Sequence, residues 1–135
     1  MVEGKKTMSV HTILAVAAGG ALGAVGRFLI TSGGGYFLGY GFPFGTIIVN
    51  VLGSFALGVL IEVSAFAWSP SAELRAFLVA GVLGAFTTFS TFSLDAVSLW
   101  TRGDFLLAGM YMAGSVLFGI IGLLAGMFLT RAVLI

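Results

Sequence analysis

Residues 105–130 read FLLAGMYMAGSVLFGIIGLLAGMFLT, a run of 26 positions without Asp, Glu, Lys or Arg. A helix of about 20 apolar residues is long enough to cross the ~30 Å hydrocarbon core of a bilayer. Over the whole chain 11 of 135 residues are charged, or 8%, against about 25% in a typical soluble domain. The sequence therefore predicts an integral membrane protein whose surface meets the lipid bilayer.

Three further charge-free stretches precede this one, at residues 7–26, 28–61 and 76–94. The middle stretch is 34 residues long and must contain a turn, which we place at the glycine-rich segment 32–41 because glycine weakens a helix. The predicted fold is all-α, with one membrane domain over residues 1–135. It contains four transmembrane helices, at about 10–30, 42–66, 74–100 and 105–131.

The composition excludes several classes of function. The chain has no Cys and one His, so disulfides, thiolate chemistry and multi-His metal sites within one chain are ruled out. Net charge is +1 and the longest basic run is Lys5-Lys6, which is too little for nucleic-acid binding. No GxxxxGK[ST] motif for ATP occurs. We therefore expect neither an enzyme nor an ATP-driven pump.

Basic residues show only a slight bias between the two sides of the predicted bundle. One side holds Lys5, Lys6, Arg75 and Arg131, and the other holds Arg102, with Arg27 near the predicted end of the first span. Loop Lys and Arg residues set membrane orientation, so a slight bias permits insertion both ways round. The alternative is a single orientation with both termini in the cytoplasm.

Small residues recur at helix-packing intervals, as in the pairs Gly19/Gly23 and Gly122/Gly126. Such spacing lets two helix backbones approach closely. Either intramolecular packing or an oligomer face would explain each pair. Four thin helices could hardly enclose a pore alone, so a homo-oligomer is the default expectation.

Asn50 lies in the middle of the second span, with Thr46 one turn before it and Ser54 one turn after it. The three side chains share one helix face. Polar groups in lipid usually face a partner or a pathway. The amide of Asn50 either makes an interhelical hydrogen bond or lines an aqueous path.

The third span contains an unusual segment, GVLGAFTTFSTFS at residues 81–93, with five hydroxyls and two Phe between Thr87 and Ser93. Ser, Thr and Gly loosen a helix, so we predict a break near Gly84–Thr88. Unwound backbone at membrane depth must be buried in protein or face water or an ion. Its free carbonyls would suit a hard cation.

The chemistry of this segment favours an anion as the conducted ion. Phe89 and Phe92 are three residues apart, and their rings have positive edges that could act with the hydroxyls of Ser90 and Thr91 and with the Asn50 amide. No acidic residue precedes Glu62 in the spans, and only Asp95 lies deep. A cation channel commonly uses acidic rings, and a proton-coupled exporter needs an intramembrane carboxylate.

The chain resembles the Fluc (CrcB) family of fluoride ion channels in three motifs. These are GGALGAVGRF at residues 19–28, GTIIVNVLGSFALG at 45–58 and GVLGAFTTFSTFS at 81–93. The resemblance covers essentially the whole chain. It implies an antiparallel, dual-topology homodimer in the bacterial inner membrane, with two fluoride pores and one buried Na⁺ on the two-fold axis.

The resemblance also implies roles for particular residues. Phe89 and Phe92 match the rings whose edges contact fluoride, Asn50 matches the pore asparagine, and Thr46 matches a nearby polar position. Tyr111 and Ser115 in the fourth span match pore-lining polar positions. The family often has a further hydroxyl one turn later, where this chain has Gly119.

Three more residues follow from the same motifs. Gly84 and Thr87 match the positions whose backbone carbonyls hold Na⁺, and Arg27 matches an arginine at the pore mouth. The expected function is passive fluoride efflux that relieves fluoride toxicity. The alternatives are a small proton-coupled multidrug exporter, which needs a carboxylate that the first span lacks, and a purely structural membrane subunit.

Overall fold

The computed structural model describes residues 9–135, so Lys5 and Lys6 lie outside the described residues. Four helices in this range are long and apolar enough to cross a membrane: Val10–Leu38, Phe44–Phe66, Ala72–Thr101 and Phe105–Leu134. The predicted all-helical fold with four spans is therefore confirmed. The observed bounds of the last three spans differ from the predicted ones by no more than three residues.

The first helix, α1 (Val10–Leu38), runs eight residues past its predicted end, because the glycine-rich segment 32–41 does not stop it. The helix instead ends at Gly39, whose φ is 91° and whose N–H donates to the Gly35 carbonyl. The glycines serve packing: a Cβ on Gly34 would lie 3.0 Å from the Cα of Gly45. Backbone contact with the start of the second helix thus overrides their weak helix propensity.

The second helix, α2 (Phe44–Phe66), packs most extensively against the last helix, α6 (Phe105–Leu134). Their backbones touch, because a Cβ on Gly126 would collide with the Phe55 carbonyl and one on Gly58 would collide with the Leu123 carbonyl. Gly122 faces Val51 in the same interface. The Gly122/Gly126 pair therefore packs within the chain.

The third span contains several segments. It begins with α3 (Ala72–Arg75), capped by the Ser71 hydroxyl, continues as a π-helical segment (Ala76–Leu83), and closes its first half with α4 (Gly84–Phe86). Its second half is α5 (Phe89–Thr101). The π-helical segment lies against α1, where a Cβ on Gly19 would collide with the Phe77 carbonyl. The Gly19/Gly23 pair therefore also packs within the chain.

The surface of the molecule is apolar. Many large hydrophobic side chains on α1, α5 and α6 are more than half exposed, as at Phe28 (66%) and Phe128 (66%). The largest fully buried side chains among residues 9–135 are those of Tyr111, Leu99 and Val49. In water such an exterior would be strongly unfavourable, whereas lipid tails are as apolar as these side chains. The protein is a multi-pass membrane protein.

Glu62 is buried, although it lies near the end of α2, where a carboxylate could have been solvated. Its side chain is 3% exposed and accepts two hydrogen bonds from Arg131, at 2.9 Å from Nη2 and 3.2 Å from Nε. Arg131 also lies over the Phe66 ring, 5.5 Å from its centroid. A buried carboxylate requires such a partner. The pair joins α2 to α6 at one end of the bundle.

Candidate functional site

The polypeptide is extended at two consecutive residues in the third span, between α4 and α5. Thr87 has φ −81° and ψ 158°, and Thr88 has φ −154° and ψ 117°. The Thr88 hydroxyl accepts the Thr91 N–H at 3.2 Å and donates to the Thr91 hydroxyl at 3.0 Å, so it caps α5. The Thr87 hydroxyl donates to the Leu83 carbonyl at 3.0 Å. These local side-chain bonds compensate for the interrupted helical ladder.

Asn50 binds both polar groups of the Thr88 backbone. Its Oδ1 accepts the Thr88 N–H at 2.7 Å, and its Nδ2 donates to the Thr88 carbonyl at 3.1 Å. One amide side chain thereby replaces two backbone partners that a continuous helix would have supplied. Of the two alternatives for Asn50, the interhelical hydrogen bond is observed, and the residue also lines a cavity.

A cavity of about 470 Å³ lies beside this break. It is lined by residues of α2, the third span and α6, including six of the predicted site residues: Asn50, Gly84, Thr87, Phe89, Phe92 and Ser115. The lining also includes Ser54 and the helix face around Gly119, the position where the family pattern has a further hydroxyl. Two phenylalanines, an amide and several hydroxyl residues therefore line one space.

Ser115 has a buried hydroxyl whose Oγ has no hydrogen-bond partner among the residues that the structure describes. A buried, unpaired hydroxyl is unfavourable by about 1–3 kcal/mol. It lines the same cavity as Asn50. Its hydroxyl is therefore free to bind something that enters this space.

An aromatic row borders the cavity. The rings of Phe89 and Phe92 are 5.5 Å apart between centroids, and those of Phe92 and Tyr111 are 5.3 Å apart. Phe89 is 78% exposed, whereas Tyr111 is fully buried. Phe86 does not continue the row, because its ring packs near Gly26 and Gly53 on the other side of the break.

Thr46 and Tyr111 meet at a carboxylate. The Thr46 hydroxyl donates to Asp95 Oδ2 at 2.7 Å, and the Tyr111 hydroxyl donates to the same oxygen at 3.1 Å. A hydroxyl has a single hydrogen to donate, so both are directed to Asp95. This contact was not predicted from the sequence, where Asp95 was identified only as the one deep acidic residue.

A second cavity, of about 350 Å³, lies between α1, the start of α2 and α5. Thr46, Thr91 and Asp95 line it, together with the connection between α1 and α2 and with Arg102. Three predicted site residues, Ser90, Tyr111 and Arg27, lie outside the linings of both cavities. Ser90 is exposed, 3.4 Å from the Thr88 hydroxyl, and Tyr111 is buried behind Phe92.

Arg27 lies deeper than the sequence suggested. Because α1 continues to Leu38, Arg27 is eleven residues from the helix end, or about 16 Å along the axis. Its Nη1 donates to the Thr87 carbonyl at 3.4 Å. The guanidinium therefore contacts the break itself, and not the end of the first span.

Thr88 is the residue of this site that sequence reasoning passed over, although it makes more of the local contacts than any predicted residue. The pattern Thr88-x-x-Thr91 could have indicated that a new helix starts here. A Thr side chain that accepts the N–H three residues later is a typical N-cap. It was hidden within a run in which five of seven residues carry hydroxyls.

These features define a class: a four-span membrane protein whose third span, extended at Thr87 and Thr88, lines a cavity with uncharged polar groups and aromatic residues. Residues 14–127 match the family described as CrcB-like protein, Camphor Resistance (CrcB). The chain belongs to this CrcB family.

Curated relatives named "Fluoride-specific ion channel FluC" are similar over nearly the whole chain. The protein from Rhodospirillum centenum is 56% identical over 119 residues, covering 88% of this chain and 94% of the relative. The one from Nitrobacter winogradskyi is 48% identical over 121 residues, covering 90% and 96%. The one from Agrobacterium fabrum is 48% identical over 119 residues, covering 88% and 95%.

Proposed function

We propose that this protein is a fluoride-selective ion channel that lets fluoride leave the cell passively and so relieves its toxicity. The observation that carries the proposal is the cavity at the break, where the Phe89 and Phe92 rings, the Asn50 amide and the free Ser115 hydroxyl meet. The names of the relatives agree with it. They give no support to a proton-coupled multidrug exporter.

The chemistry of the cavity suits fluoride, which is small and strongly hydrated. Passage requires that protein groups replace its water at each step. A hydroxyl hydrogen, the second hydrogen of the Asn50 amide and the positive edges of aromatic rings can do so without a fixed charge that would hold the ion. A strong fixed charge would slow release, and conduction needs binding that is weak enough for the ion to leave.

The third span acts in this proposal as two half-helices joined by Thr87 and Thr88. Their extended dihedrals and the Asn50 contacts support a break that is part of the site. In a membrane, such backbone is tolerated where protein buries it or where it lines a water-filled cavity. Because α5 begins at Phe89, directly after the break, both Phe89 and Phe92 line the cavity.

The working unit in this proposal is an antiparallel, dual-topology homodimer with two pores in the inner membrane. Phe89 is 78% exposed in the single chain, although it lies at the centre of the site. A second copy of the chain would cover this ring and close the cavity. Cysteine labelling of loop residues from both sides of intact cells would test the topology, and one-sided labelling would contradict it.

Na⁺ is proposed as a structural ion at the dimer axis, held by the carbonyls of Gly84 and Thr87. In a continuous helix the Gly84 carbonyl would accept the Thr88 N–H. Here that N–H donates to Asn50, so the Gly84 carbonyl oxygen is left for a cation. The Thr87 carbonyl is shared with Arg27 at 3.4 Å. Two carbonyls from one chain are too few for a hard cation, so the partner copy would supply the others.

The decisive experiment is ion efflux from liposomes that contain the purified protein. We expect rapid fluoride efflux with an ion-selective electrode and hardly any chloride efflux. Equal rates for the two halides would contradict the proposal. Repeating the fluoride measurement after Na⁺ is replaced by a large organic cation tests the structural ion, and unchanged flux and thermal stability would remove it.

A further inference from the structure

The second cavity carries one charge of each sign among the described residues that line it. Asp95 supplies the carboxylate, and Arg102 supplies the cation. They are seven residues apart on α5 and its C-cap, which is two helical turns, or about 10 Å along the axis. Both therefore lie on the same side of the helix, Arg102 at the loop end and Asp95 further inside.

The carboxylate opposes the entry of an anion. Two hydroxyl groups, of Thr46 and Tyr111, donate to Asp95 Oδ2. Their hydrogens are thereby directed away from an incoming anion. An anion that enters this cavity consequently needs a positive group at the mouth to offset Asp95.

Arg102 is held in the position that such a group requires. Its Nη2 donates to the Gly41 carbonyl at 2.9 Å, which ties the turn after α5 to the connection between α1 and α2. Its Nε lies 3.4 Å from Asp104 Oδ2, and the two side chains are 49% and 44% exposed. An exposed ion pair of this kind is weak, so Asp104 only partly offsets the positive charge of Arg102.

We infer that Arg102 determines anion entry through this mouth, by balancing Asp95 and drawing small anions such as fluoride into the cavity. The inference rests on the proposed channel function and deepens it by naming an entry residue. Charges that line a cleft raise the local concentration of the opposite ion and its entry rate. The contribution of Arg102 is thus one of charge, and its bond to Gly41 keeps that charge at the rim.

The test is fluoride flux through purified protein in neutral-lipid vesicles, at fluoride concentrations low enough for entry to limit the rate. At about 0.01 M ionic strength, where the Debye length is ~30 Å, R102Q should conduct about threefold to tenfold more slowly than the wild type. At about 1 M of an impermeant salt, where that length is ~3 Å, the difference should largely vanish. R102K keeps the charge and should stay near wild type.

Asp104→Asn is the matched control, because it removes a negative charge beside Arg102 and leaves Arg102 in place. The positive charge of Arg102 is then less offset, so fluoride flux at low salt should rise. All variants are compared after gel filtration shows the same monodisperse particle. Normal low-salt flux in R102Q would overturn the inference, as would an R102Q defect that persists at high salt or that R102K shares. Wild-type vesicles that pass no fluoride would overturn the proposed function and the inference with it.

Discussion

Asn50 on α2 satisfies both backbone polar groups of Thr88: the amide oxygen accepts the Thr88 N–H at 2.7 Å and the amide nitrogen donates to the Thr88 carbonyl at 3.1 Å. The relationship gives Asn50 two tasks. It holds the extended backbone in place, and its second Nδ2 hydrogen remains for the cavity that it lines.

Asn50→Leu should lower both stability and fluoride flux, because the Thr88 N–H and carbonyl would each lose a partner. An unsatisfied buried backbone group is unfavourable by about 1–3 kcal/mol, so the loss of both partners is expected to cost ~2–6 kcal/mol. Thermal unfolding in detergent measures this loss. Ser54→Ala, one turn away on the same face, is the control and should unfold near the wild-type temperature.

A third variant separates the two tasks of Asn50. In Asn50→Asp the side chain keeps an acceptor for the Thr88 N–H but loses the donor and brings a negative charge near the Thr88 carbonyl. We expect it to unfold between the wild type and Asn50→Leu and to conduct fluoride poorly. Wild-type stability in Asn50→Leu would show that the Thr88 contacts do not hold the break.

Phe89→Ile and Phe92→Ile should cut fluoride flux while leaving the fold intact. An isoleucine fills similar space but has no positive ring edge, so it cannot replace water around an anion. A tenfold slower flux corresponds to ~1.4 kcal/mol in the barrier, and we expect at least about that much. Phe128→Ile, at an exposed position of α6, is the control. Normal flux in both pore variants would remove the rings from the mechanism.

The ion pair between the buried Glu62 and the half-exposed Arg131 predicts an unusual order of stabilities among its variants. Glu62→Gln leaves the guanidinium without its counter-charge, and breaking a buried pair costs about 3 kcal/mol or more when both partners are buried. Arg131 is 51% exposed, so the loss should be smaller. The double variant Glu62→Leu with Arg131→Leu should recover part of it, as unfolding curves would show. A double variant that is less stable than Glu62→Gln would contradict this account.

Gly126→Ala should destabilise the protein, because the added Cβ meets the Phe55 carbonyl on the neighbouring helix. Separating α2 from α6 is expected to cost about 1–3 kcal/mol. Gly109→Ala, on the same helix with nothing within 4 Å of the added Cβ, is the matched control and should be neutral. Equal melting temperatures for the two variants would mean that the interface adjusts freely.

The four spans were predictable because length and apolarity decide whether a helix can cross a bilayer, and both are visible in a sequence. The end of α1 was not predictable by the same reasoning. The glycines at 33–35 weaken a helix in isolation, but Gly34 is needed where α1 meets Gly45. The favourable contact is made with a residue that sequence spacing does not show to be near.

For the site, too, features within one segment could be predicted and contacts between distant segments could not. Residues of one short segment, such as Phe89 and Phe92, were predicted together, and the structure places both at one cavity. By contrast, the hydrogen bonds from Thr46 and Tyr111 to Asp95 connect three helices that are distant in sequence, so no local pattern predicts them. The depth of Arg27 was misjudged for a simpler reason, since it followed from the wrong end of α1.

The π-helical segment Ala76–Leu83 gives the third span a place where chain length can vary. A π-turn accommodates one more residue than an α-turn, closing its hydrogen bonds five residues apart and not four. A homologue that lacked one residue here could wind the same stretch as ordinary α-helix and still present its glycine face to α1. Insertions and deletions in this span should therefore gather between residues 76 and 83, leaving the geometry of Thr87 and Thr88 unchanged.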